Sequence, residues 1–122
     1  MAFICSNKHP NLSLLDNGLL YTRGTEKAVT WMNSTANGRP VIPRTGFVVE
    51  INTLWYNALC FVGELLGEAG NEQLSTELSV LAERSGKSFL ETFLNEYGYL
   101  LDYVDGNMMD WSVRPNMIFA VA

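Results

Sequence analysis

Six aromatic residues, Trp31, Trp55, Trp111, Tyr56, Tyr99 and Tyr103, stand near Glu50, Asp102, Asp110, Arg44 and Arg114 along the chain. Flat rings with polar edges suit the faces of sugar rings, and carboxylates and guanidinium groups suit their hydroxyls. Cleaving a glycosidic bond needs two carboxyl groups flanking it, so this inventory favours carbohydrate chemistry. The same residues have a plainer reading, with aromatics as core and Asp as turn residues. Nucleophilic catalysis is poorly supplied. His9 is the one histidine, no Gly-x-Ser-x-Gly elbow occurs, and Cys5 with His9 lacks an orienting third group. Cys5-x-x-x-His9 has no second pair to complete a zinc site, and Asp102, Asp105 and Asp110 lack the closing Glu of a calcium loop. Neither a metal nor a cofactor is expected.

The elements that must carry these groups fall into two regimes. Residues 1–50 are rich in Asn, Gly, Pro, Ser and Thr, with short apolar clusters at 19–21, 29–32 and 47–49. This third is expected to be loop-rich, with one or two short strands or bends. Arg39-Pro40 and Ile42-Pro43 bias Arg39 and Ile42 toward extended backbone, so 38–46 should be an ordered crossing loop. From Glu50 the apolar period becomes helical. Ile51, Leu54, Trp55, Ala58, Val62, Leu65, Leu66 and Ala69 predict a helix over 51–69, stopped by Gly70-Asn71. Leu59, Cys60 and Phe61 make its other side apolar too, which places such a helix inside something. A second helix, 71–97, is amphipathic, with a stripe from Leu74 to Tyr97 and a wet acidic face. Gly86 is a candidate kink within it and Gly98 its terminator. Residues 99–112 read as a loop, and Pro115 opens a third helix, 113–122.

Length and charge bound the function. The chain has 122 residues and suits one domain. Its net charge of −5 and lack of a basic run argue against nucleic acid. The charge is uneven, with five basic and three acidic side chains in residues 1–59 against two and ten in 60–110. Two cysteines make no disulfide framework, and the N-terminus lacks a signal-peptide pattern, so a cytoplasmic location is expected. No apolar run approaches a membrane span, and no membrane partner is expected. The apolar ending Phe119-Ala-Val-Ala122 and the start Met1-Ala2 read as boundaries cut from a larger protein.

Five runs point to a family: Thr30–Asn33, Arg39–Gly46, Val49–Leu59, Gly98–Gly106 and Asp110–Asn116. In order and spacing they resemble the amylo-α-1,6-glucosidase domain, the C-terminal catalytic domain of glycogen debranching enzymes. The resemblance covers nearly all of residues 17–122. It implies an all-α fold, a segment of an (α/α)6 toroid holding about three of its helices. On that basis 51–69 is an inner helix, 71–97 an outer one, and 99–112 a loop at the sugar-binding mouth. It also implies inverting hydrolysis of α-1,6-linked glucose at branch points, with a branched α-glucan as partner and acid and base about 6.5–9.5 Å apart.

Residue roles follow by position. Trp31, Arg44, Trp55 and Tyr56 match mouth-side motifs and are expected to contact substrate, as are Asp102, Asp110 and Arg114. Arg114 has the equal alternative of a structural ion pair with Asp102 or Asp110. The family's general acid is the Asp of a Thr-Trp-Met-Asp motif, and this chain has Asn33 there. An amide cannot protonate a leaving oxygen, and losing a placed acid costs ~10²–10⁴-fold. Glu50 is the nearest substitute; its other reading is to orient loops or touch a hydroxyl. Met117 stands where the family has Gln. The resemblance puts the base beyond residue 122, so the segment alone is expected to be inactive, and with half its toroid missing it should form a homo-oligomer. Two alternatives stand: a non-hydrolytic glucan binder, and a free-standing helical module whose aromatics are only core.

Overall fold

The computed structural model describes residues 1–122. A one-turn helix α1 (Ala2–Cys5) precedes two strands, β1 (Leu12–Leu14) and β2 (Leu20–Thr22). The small hairpin β3 (Thr35–Ala36) and β4 (Arg39–Pro40) follows, then β5 (Gly46–Val48), which runs directly into α2 (Val49–Glu68). After α3 (Glu72–Phe93) come β6 (Tyr103–Asp105), β7 (Met108–Met109) and a 3₁₀ helix, Pro115–Ala120. Five strands form one antiparallel sheet in the order β1-β2-β5-β6-β7.

The all-α expectation is therefore corrected: the fold mixes an antiparallel sheet with a helical pair, and the partial toroid is not what this chain forms. The physical reason is strand length. Each strand has two or three residues, too few to raise an alternating pattern above the surrounding turns. Their stability comes from distant partners, Tyr21 against Phe47 and Phe47 against Val104. The expected 99–112 loop is instead the β6-β7 hairpin, turned at Gly106 with φ +58°. The 113–122 helix is a six-residue 3₁₀ turn, its preceding Arg114 held extended by Pro115.

The helical pair lies close to expectation. Asn71 caps α3 by accepting the Leu74 N–H at 3.3 Å. That helix stops at Phe93, four residues short of the expected end. Asn95 Oδ1 takes the N–H groups of Tyr97 (2.9 Å) and Tyr99 (3.3 Å), offering the backbone an alternative to further helix. Gly86 makes no break. Its missing side chain admits the Tyr56 ring, whose Cε2 would lie 3.0 Å from a Cβ there. Gly63 and Gly67 likewise let α2 and α3 approach, and Ser75 Oγ donates to the Gly63 carbonyl at 2.8 Å.

Two apolar clusters hold the layers together. Leu20, Trp55, Leu59 and Ala82 join sheet to helices, and Val49, Phe93, Leu101 and Val104 close the other end. Asn52 stitches α2 to the sheet: its Oδ1 accepts the Leu20 N–H at 2.7 Å and its Nδ2 donates to the Leu20 and Val48 carbonyls. Leu54, Phe61 and Leu65 form an exposed stripe on the opposite side of α2. No helix is long and apolar enough to cross a membrane.

Candidate functional site

The sheet and α2 converge where β5 ends. Val49, the first residue of α2, donates its N–H to the Asp102 carbonyl at 3.0 Å, so Asp102 lies beside the helix start. Glu50 occupies the first turn of α2, where the helix dipole favours a carboxylate. The β6-β7 hairpin carries Asp110 back against Tyr103, its N–H donating to the Tyr103 carbonyl at 2.9 Å. Arg44, just before β5, points into the space these elements leave.

The result is a buried ionic network. Arg44, Glu50 and Asp102 are 2%, 3% and 0% exposed. Arg44 Nη1 and Nη2 donate to the two Glu50 oxygens, the Nη2 bond being 2.7 Å. Its Nε and Nη2 donate to the two Asp102 oxygens, both at 3.0 Å. Arg114 Nη1 donates to Asp102 Oδ2 at 2.7 Å and lies 3.1 Å from Asp110 Oδ1. Asn116 Nδ2 donates to Asp102 Oδ1 at 2.7 Å, and Asn116 Oδ1 accepts the Trp31 indole N–H at 2.8 Å. Asp102 thus receives four donors, which fills its accepting capacity. A buried carboxylate bound this fully is held in one place.

Electrostatics follow the same contacts. Burial alone would lower the Arg44 guanidinium, but its bonds to Glu50 and the charges of Glu50 and Asp102 raise it further. Burial likewise opposes Arg114, and the Asp110 and Asp102 carboxylates prevail and raise it. Asp110 would be raised by burial, yet the Ser112 donors and Arg114 hold it below the usual carboxylate range. Tyr103 is pushed up by burial first and then by the Asp110 charge.

Beside the network lies an open cleft of about 410 Å³, lined by Trp31, Met32, Asn33, Ser34, Val41 and Ile42. Trp31 is 60% exposed, its indole edge fastened to Asn116 and its face free. Asn33 is exposed in the same cleft, and no carboxylate lines it. The network brings Arg44, Glu50, Asp102, Asp110 and Arg114 together and ties Trp31 to them. It does not include Trp55, a core residue donating to the Gly18 carbonyl at 3.1 Å, or Tyr56, which packs beside α3.

Arg114 forms both of the ion pairs considered for it. The three Asp residues of the calcium reading do not converge. Asp102 and Asp110 face guanidinium groups, while Asp105 accepts the Tyr21 hydroxyl at 2.8 Å. No group of three or more metal-binding side chains forms.

Asn116 was not singled out by spacing, and neither was Thr30, whose Oγ1 lies 3.4 Å from Arg44 Nη1. Their signal was their place in the family-like runs. Each of the five runs contributes a member: Thr30, Arg44, Glu50, Asp102, and Asp110 with Arg114 and Asn116. No curated protein and no solved structure matches the chain. Residues 8–122 match the family model described as amylo-alpha-1,6-glucosidase, and the chain belongs to that family.

Proposed function

We propose that this chain supplies a substrate-holding rim of a glycogen-debranching-type α-1,6-glucosidase, and that by itself it binds a branched α-glucan without hydrolysing it. One observation carries the reading. The Trp31–Ile42 cleft contains an exposed aromatic face and Asn33 but no carboxylate, while the neighbouring Glu50 and Asp102 are both buried and paired with Arg44. In inverting hydrolysis a base activates water to attack the anomeric carbon, and an acid protonates the departing glycosidic oxygen. Neither partner is free in this cleft. Glu50 serves as an orienting group in this reading, because moving it would strip Arg44 of one buried counterion. Trp31 stacks on the glucose ring, and the network fixes it through Asn116.

Panose, a trisaccharide that carries the α-1,6 bond, tests this by titration calorimetry. Trp31→Ala should weaken binding about tenfold, and glucose release from a limit dextrin should stay at the buffer rate. Panose binding unaffected by Trp31→Ala, or steady glucose release by this chain, would overturn the proposal.

The second reading, a non-hydrolytic glucan binder throughout the whole protein, is favoured by Asn33 specifically. It predicts that the protein carrying this segment releases no glucose, and that Asn33→Asp raises the rate. In either reading the chain acts in the cytoplasm, with Cys5 and Cys60 as free thiols. The exposed stripe of α2 supports self-association of the isolated chain, which light scattering at micromolar concentration checks. A constant monomer mass would refute it.

A further inference from the structure

Outside the ionic network, the turn after α3 and the end of β7 bring three aromatic rings together at the surface. Tyr97 and Tyr99 lie with their planes 18° apart and centroids 6.5 Å apart. Trp111 stands edge-on to both, at 6.2 Å from Tyr97 and 6.5 Å from Tyr99. Tyr97 is 73% exposed and Trp111 43%, so much of this ring area faces water.

The backbone beneath is held from two sides. Asn95 accepts the Tyr97 and Tyr99 N–H groups with its side chain, and its own N–H donates to the Tyr99 carbonyl at 3.0 Å. Trp111 follows Asp110, which is fixed by Arg114 and by the Tyr103 carbonyl. Rings positioned in advance lose little freedom on binding. None of the three lines the Trp31 cleft.

We propose that Tyr97, Tyr99 and Trp111 form a second sugar platform, which takes a linear stretch of α-glucan rather than a branch point. A hexose presents an apolar C–H face and a polar rim, matching rings that carry hydroxyl and indole N–H groups at their edges. Charge narrows the occupant. Residues 60–110 carry ten acidic and two basic side chains, which repel nucleic acid and acidic peptides but not a neutral glucan. Continuity points the same way, since Trp111 directly follows the network's Asp110. The platform rests on the functional reading above for its ligand class, and it adds a contact that would hold a chain while its branch lies in the cleft.

Maltoheptaose, which has no α-1,6 bond, is the probe. Titration should shift the ring resonances of Tyr97, Tyr99 and Trp111. Tyr97→Ala and Trp111→Ala should each weaken binding about tenfold, and Tyr97→Phe should keep most of it. Urea unfolding of each variant establishes that it is folded. Unmoved platform resonances, or alanine variants that bind normally, would overturn the inference. So would ring shifts that follow protein concentration without sugar, because a second copy would then be the occupant. Panose binding at Trp31 with no maltoheptaose effect removes the platform and leaves the functional reading. Platform binding with no panose effect at Trp31 does the reverse.

Discussion

Arg44→Met separates a structural network from a merely crowded one. Arg44 is the only cation on Glu50, whereas Asp102 keeps Arg114 and Asn116 when Arg44 is gone. Methionine fills much of the space but leaves the Glu50 carboxylate buried without a counterion. Breaking a buried pair in this way costs about 3–5 kcal/mol. At ~0.05–0.15 kcal/mol per residue the chain holds roughly 6–18 kcal/mol, so the variant should still fold and be measurable. The loss should also depend on pH in a definite direction. An unpaired buried carboxylate is pushed above its unfolded value of about 4.3. The folded variant then binds more protons than the unfolded chain, and its stability falls as pH rises through that window. Urea unfolding should therefore show a small deficit near pH 4.5 and the full deficit at pH 8. Adding Glu50→Gln should recover part of the loss at pH 8 and flatten the pH dependence. A deficit below about 1 kcal/mol at pH 8, or one that ignores pH, would refute the reasoning.

Gly46→Ala should destabilise the chain by about 2–5 kcal/mol, since φ is +106° and a Cβ would crowd Asp105 Cα at 3.0 Å and the Val104 carbonyl more closely still. Equilibrium unfolding in urea measures it, and a change within about 0.5 kcal/mol would show that β5 and β6 can part there freely. Asp110→Asn should lower stability at pH 7, because the Asp110 carboxyl is held below its ordinary value. That contribution is present above the ordinary carboxylate range and is lost as pH falls through the folded value, so melting of the two proteins should converge in acid below it. A gap that persists unchanged in acid would contradict the assignment.

The two long helices were legible because an apolar period repeated over about twenty residues outweighs local noise. The end of α3 was not, because the Asn95 side chain, and not Gly98, stops it. The strands were illegible for a different reason. Leu20–Thr22 and Gly46–Val48 are too short to show alternation, and only a folded chain reveals that they pair. At the site, Arg44, Glu50, Asp102, Asp110 and Arg114 did meet, while Trp55 and Tyr56 did not join them. They share a helix with Glu50 but lie five and six residues further along it, where the turn directs them to the core and to α3. Asn116 was missed because a single amide after a proline looks like an ordinary helix start.

The concentration of bonds on Asp102 has a consequence for how this end of the molecule comes loose. Arg114 and Asn116 both hold to that carboxylate, and through Asn116 so does the Trp31 indole. One substitution at that position slackens two separate stretches of backbone together. The 3₁₀ turn and the tryptophan loop are thus moored to a common post, and the cleft's aromatic wall drifts whenever that post gives way.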